Sequence, residues 1–196
     1  MEHKKIKNKT IYANSNQKTY NRTKQIVLTG MFSAILIVLS QTSIPMPSGV
    51  PITLQTFAVA LTGAVLGWKF GVASTLIYIL LGMVGLPVFA NFKYGLQALA
   101  GPTGGFIYGF LLMVILCGVG GEKKNLIQRL VYGIFGLIGC HGLGINHFAF
   151  VSDMSFWESA LLVSIPYLIK DVILVIMALL IGDKIKKFML RENGRF

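Results

Sequence analysis

Charge is what this chain has least of. Only 13% of its 196 residues are charged, about half the share usual in soluble domains. Acidic residues number seven, and the stretch 25–67 contains no Asp, Glu, Lys or Arg. An ordinary soluble domain is excluded. Long uncharged segments suit a hydrocarbon solvent, where backbone polar groups must be satisfied within helices or a closed barrel. Cysteine is also scarce. Cys117 and Cys140 both lie in apolar segments and form neither a metal-ligand spacing nor a disulfide framework. No Gly-Lys-Ser or Gly-Lys-Thr is present, so there is no phosphate loop. The order and spacing of residues show no His-Glu-x-x-His and no Ser/His/Asp arrangement, and no 20–50-residue repeat.

What is present is hydrophobic: 54% of the chain, cut into segments by Gly, Pro and short polar turns. Residues 1–24, rich in Lys, Asn and Thr, read as a disordered basic cytoplasmic tail. The tail's basic region is too long for a cleavable signal peptide, and the apolar segment after it is near 20 residues, long enough to stay as a span. The membrane domain is expected over 25–190. Its helices are expected at about 25–44, 54–66, 71–84, 103–119, 126–143 and 158–185, with loops at 45–52, 88–102 and 144–157. The fold class is therefore all-α, an integral membrane protein of six spanning helices.

The net charge of +11 raises nucleic acid as a partner. The basic residues instead sit at the flanks of apolar segments, with no aromatic-basic platform between them, so no nucleic-acid partner is expected. Sixteen of the eighteen Lys and Arg fall on one side of a six-helix arrangement, and Lys93 alone falls on the other. Lys170 is inside the last helix. That asymmetry places both termini in the cytoplasm. Loops 45–52 and 88–102 then lie outside. Both are rich in Gly and Pro and nearly uncharged, as expected of the lid and wall of an outward-facing pocket packed on protein.

Asp171 is the leading functional residue, because an ionisable group within a span costs several kcal/mol (about 2.5–3.5 by insertion scales) unless paired. Lys170 adjoins it and either shares its cavity or snorkels to the interface. Asn91, Phe92, Lys93 and Tyr94 form a polar-aromatic cluster outside, where a lone cation can meet a solute carboxylate or simply be solvated. Gly104 and Gly105, in Gly101-Pro102-Thr103-Gly104-Gly105, permit close approach of a ligand or another backbone. Gln55 and Thr56 open a helix beside the first external loop and offer an amide and a hydroxyl. Gly133, Gly136, Gly139 and Gly142 suggest one smooth packing face. Gly30, Ser33 and Ala34 offer small residues for a helix partner, internal or separate. His141, Asn146, His147 and Asp153 read as structural polar groups, with a metal site the lesser alternative; no metal is expected.

The runs Pro51-Ile52-Thr53-Leu54-Gln55-Thr56-Phe57, Tyr78-Ile79-Leu80-Leu81-Gly82-Met83-Val84-Gly85-Leu86-Pro87-Val88-Phe89-Ala90 and Gly101-Pro102-Thr103-Gly104-Gly105-Phe106 resemble the BioY family over roughly 25–188. These are the biotin-binding S components of energy-coupling factor (ECF) transporters. The resemblance implies a bacterial plasma-membrane protein with a biotin pocket near the external surface. It implies no resident cofactor, and ATP used only by partners: a transmembrane coupling protein docked at Gly30, Ser33 and Ala34, and two ATPase subunits. With biotin as the implied solute, its apolar parts would suit Phe89, Tyr94 and Tyr167, its ureido ring Asp171 with Asn91 or Gln55, and its carboxylate Lys93 or a water-exposed mouth. Family members commonly carry Pro-Gly-Asp-x-x-Lys on the last helix. Here Asp171 is kept, Lys170 stands at the Gly, and Leu174 stands at the Lys. Two other classes stand beside this one: a self-sufficient ion-coupled transporter, and a membrane enzyme built on His141, His147 and Asp153.

Overall fold

The structure, a computed structural model, describes the backbone of residues 2–193 and the side chains of 22–189. The tail expected over 1–24 falls mostly on residues whose side chains lie outside that description.

The chain is mostly helical. A long helix α1 (Glu2–Gln41) leads to a two-stranded antiparallel ribbon, β1 (Ser43–Ile44) and β2 (Ile52–Thr53), with Ser43 opposite Thr53. Then come α2 (Gln55–Met83), a 3-10 turn (Ala90–Phe92), α3 (Leu96–Ala100), α4 (Gly104–Gly121), α5 (Leu126–Ser152), α6 (Phe156–Val163) and α7 (Ile165–Asn193). Among the described residues five helical segments are long and apolar enough to cross a membrane: Arg22–Gln41, Gln55–Met83, Gly104–Gly121, Leu126–Ser152 and Ile165–Met189.

One of the five is not straight. Gly67 in α2 sits at φ 74°, ψ 176°, a region essentially restricted to glycine. The chain reverses there. Gln55 Nε2 donates to the Tyr78 hydroxyl at 2.6 Å although 23 residues separate them, about 35 Å along a straight helix. Gly63 and Gly71 face each other across the reversal, a Cβ on Gly71 falling 3.3 Å from the Gly63 Cα. The expected helices 54–66 and 71–84 are thus the two antiparallel limbs of α2.

Three expectations give way. The last helix, expected unbroken over 158–185, is divided at Ser164 into α6 and α7. Pro166 has no N–H to donate to Leu162, and its ring disfavours helix in the residue before it. In α5 the helix runs through the expected loop 144–157 as far as Ser152, because Gly144 packs on the Phe106 ring. Asp153 ends the helix in a left-handed conformation at φ 51°. The glycines of α5 do not form one face. Gly133 abuts Val175 and Leu179 of α7, Gly136 and Gly139 abut Met113 and Leu112 of α4, and Gly142 meets nothing. Steps of three residues turn a helix by about 300°, so the stripe winds around it.

The core lies where α2, α4, α5 and α7 meet, with Tyr78, Met113, Leu137 and Leu179 fully buried. α4 is the central element and α1 the outermost: 56% and 28% of their apolar stretches are buried. Large apolar side chains such as Phe135, Ile138, Phe150 and Ile169 point outward. Outward apolar surface on helices of this length suits lipid. On one side of the molecule Arg129 and Lys187 both bond Asp183, and Lys186 donates to the Gly121 carbonyl, tying the α4–α5 turn to the end of α7.

Candidate functional site

A chamber opens among β2, the first limb of α2, the 88–93 segment, α4, α5 and α7. Its apolar wall is Phe106, Ile107 and Phe110 of α4 with Phe89. Phe89 is 2% exposed and stands edge-on to Tyr78 at 5.4 Å between ring centres. Its ring lies directly over Gly82, where a Cβ would collide with it.

The polar wall is centred on Asp171, which is 4% exposed. Lys170 Nζ reaches back to Asp171 Oδ1 at 2.7 Å and also donates to the Thr53 carbonyl at 3.1 Å. Adjacent helical side chains diverge by about 100°, and the four-carbon stem of lysine spans that angle. Lys170 is therefore a cavity residue rather than a snorkelling one, and it ties the ribbon to α7. His141 Nε2 lies 3.4 Å from Asp171 Oδ2, while its Nδ1 is 2.7 Å from the Ser164 hydroxyl. Thr56 faces the same carboxylate. Gln55 is held between the Tyr78 and Thr53 hydroxyls. Tyr167 lines the chamber while its hydroxyl donates to the Val50 carbonyl at 2.8 Å and meets Ser48, so α7 fastens the 45–53 segment twice.

Of the ten residues expected at the site, seven line this chamber: Gln55, Thr56, Phe89, Lys93, Tyr167, Lys170 and Asp171. The other three do not. Asn91 and Tyr94 line only an adjoining outer cavity, which shares Lys93 and Thr103 with the chamber. Asn91 adopts a left-handed conformation, φ 58°, and its side chain accepts from Ser43 Oγ at 2.7 Å, fastening the loop to β1. Gly104 is packed against the Leu99 carbonyl and His147, away from the chamber. Leu174 is half-buried and absent from the chamber wall.

Sequence reasoning left Thr53, Phe106 and, above all, His141 out of the expected binding site. The available signal was a histidine in an apolar run. The same helix carries His147, whose Nε2 meets the Gly101 carbonyl 3.1 Å away, while Asp153 caps α5. These three residues do not converge, and no group of three metal-binding side chains occurs among the described residues. The sequence order hid a Ser164–His141–Asp171 chain that only the fold assembles.

The expected docking residues also separate. Gly30 and Ala34 are exposed on α1, with open space beside Gly30. Ser33 is buried, and its hydroxyl bonds the Thr29 and Ser74 carbonyls at 2.9 and 3.0 Å. It holds α1 to the second limb of α2 and is not part of an outward face.

Known proteins resemble this chain in sequence and fold. Residues 8–191 match the family model described as "BioY family". A biotin transporter BioY of Thermotoga maritima is 41% identical over 84% of this chain and 96% of its own length. A probable biotin transporter BioY of Pyrococcus horikoshii is 34% identical over 84% and 98%. Among solved structures, the S component for biotin from an ECF-type ABC transporter superposes with a TM-score of 0.78 at 25% identity, covering 86% of this chain and 93% of that one. On this likeness, and on a helical scaffold built for lipid, the chain is a multi-pass membrane protein belonging to the BioY family.

Proposed function

We propose that this chain is the biotin-binding S component of an ECF-type vitamin transporter. It captures biotin from outside the bacterial cell membrane for import by partner subunits. The observation that carries the reading is the chamber, apolar on the α4 side and lined on its polar side by one buried carboxylate, Asp171. Biotin has that division. Its thiophane ring is apolar, and its ureido N–H groups need a buried acceptor. The names of the relatives support the choice of ligand.

In this reading biotin's ring lies against Phe89 and Phe106. Its ureido group bonds Asp171 and Gln55, and its chain runs toward Lys93, which has no ion-pair partner among the described residues. The 45–53 segment closes over it. Six spans follow if the two limbs of α2 each count as one, and both termini then lie in the cytoplasm, with Lys69, Lys123, Lys124 and the 184–187 lysines on the same side. Gly30 and Ala34 lie on the exposed face offered to a transmembrane coupling protein, which would bring two ATPase subunits. In this reading ATP is used by the partners alone.

The test is calorimetry on detergent-purified chain without nucleotide. Binding of biotin with a nanomolar Kd is expected. Absence of heat or thermal shift from folded protein removes biotin as the ligand. Uptake into vesicles by this chain alone, abolished by an uncoupler, overturns the dependence on ATPase partners.

A further inference from the structure

Ser164, His141 and Asp171 form a row of three polar side chains, Ser164 hydrogen-bonded to His141 and His141 Nε2 3.4 Å from the Asp171 carboxylate, each at least nine-tenths buried and contributed by three parts of the fold: the α6–α7 junction, α5 and α7. Its geometry fixes where the protons are. A neutral imidazole has one N–H and one bare nitrogen. If Nδ1 carried the proton, the bare Nε2 would face the Asp171 carboxylate, acceptor against acceptor. Protonated Nε2 donates to Asp171 and leaves Nδ1 to accept from the Ser164 hydroxyl, which matches the short 2.7 Å contact. The imidazolium places the proton on Nε2 as well. The Phe106 ring stands edge-on to the imidazole at 5.7 Å and keeps its plane.

Asp171 is then supplied with donors on both oxygens, Lys170 on Oδ1 and His141 on Oδ2. The carboxylate is fixed in rotation between these donors, with Thr56 beside it, and it lines the chamber. A ligand group that donates can complete its bonding. We propose that His141, locked by Ser164, is a positioning residue that makes Asp171 a selective reader of N–H groups. With Lys170 it supplies the donor partnership that Leu174 cannot. This deepens the biotin reading and rests on it for the ligand, not for the proton arrangement.

Three variants and two measurements test it. His141→Phe keeps the ring and its packing but loses the donor, and biotin should bind about tenfold more weakly. His141→Gln returns an N–H at similar reach and should lie within about threefold of wild type. Ser164→Ala should weaken binding about threefold. Each is also titrated with a biotin alkylated on one ureido nitrogen. Wild type and His141→Gln should reject it, and His141→Phe should lose most of that discrimination. A loose core alone would weaken both ligands alike. Affinity in His141→Phe within twofold of wild type, no rescue by Gln, or an unchanged discrimination ratio overturns the proposal. The second measurement needs no ligand and no variant that must fold. In 15N-histidine spectra of wild type, His141 should show a protonated Nε2. A neutral ring protonated only on Nδ1 overturns the proposal whether or not biotin binds. Failure of wild type to bind biotin, with Nε2 protonated, instead removes the ligand and leaves the positioning row in place.

Discussion

Lys170 and Asp171 divide the polar work of the chamber between neighbours in sequence. The lysine neutralises the aspartate and anchors the ribbon at Thr53; the aspartate faces the cavity. Asp171→Asn keeps the shape but turns one acceptor into a donor and strips Lys170 of its counter-charge. Biotin affinity should fall roughly 10–100-fold, at about 1.4 kcal/mol per decade, read as Kd by calorimetry. Residues of this kind were legible in the sequence because polar groups stand out against an apolar run. Gln55, Thr56, Lys170 and Asp171 stood out that way, and all four line the chamber. His141 was not legible as a site residue, because its partners Ser164 and Asp171 lie on other elements and meet it only through packing and the break at Ser164. That break is settled by Pro166 rather than by local propensity. Asn91 stood out in the same way and lies in the outer cavity. A polar side chain in a loop signals a ligand or a tie to the next strand equally well, and here Ser43 takes it.

At the scale of elements, the reversal at Gly67 and the charged α4–α5 turn were legible, and the break at Ser164 and the run of α5 to Ser152 were not. The α4–α5 turn fell where the sequence placed it, because Glu122, Lys123 and Lys124 interrupt two apolar runs. The reversal at Gly67 is the element most exposed to a single change. Gly67→Val places a branched side chain where φ is +74°, a strain on the order of 1–3 kcal/mol. Thermal unfolding in detergent should show a clear drop in Tm, and biotin binding should weaken with it as Gln55 and Tyr78 lose register. A Tm unchanged by Gly67→Val would show that the reversal tolerates a side chain. The short helix α6 carries a different device. Ser155 and Glu158 cap each other: the Ser155 hydroxyl accepts from the Glu158 N–H, while the Glu158 carboxylate accepts from the Ser155 hydroxyl and N–H. Those bonds hold the exposed Glu158 carboxyl below its ordinary value of 4.5. A depressed carboxylate stabilises the fold above the unfolded value and ceases to do so as pH falls through the folded one. Wild type should therefore exceed Glu158→Gln in Tm at pH 7, by a small margin, and the margin should shrink as pH falls below the ordinary carboxyl value of 4.5 and vanish once it passes the lower folded value.

At the scale of the whole molecule, charge asymmetry and apolar surface define how the protein sits in lipid. The proposed orientation is checked by labelling with a membrane-impermeant thiol reagent. Cys117 and Cys140 are buried and free, so they give little background. In intact cells Lys93→Cys should react and Lys123→Cys should not; the opposite pattern inverts the topology. The limbs of α2 bear on how that topology is reached. At 12 and 16 residues on either side of Gly67, they extend about 18 and 24 Å, both short of a hydrocarbon core of about 30 Å. During synthesis neither limb is a convincing stop or start signal on its own. They are expected to leave the translocon together as a hairpin, paired before lipid surrounds them. Gly67 is then a parity switch for everything downstream. A straightened α2 would cross once instead of turning back, and the positively charged α4–α5 turn would be driven to the wrong side of the membrane.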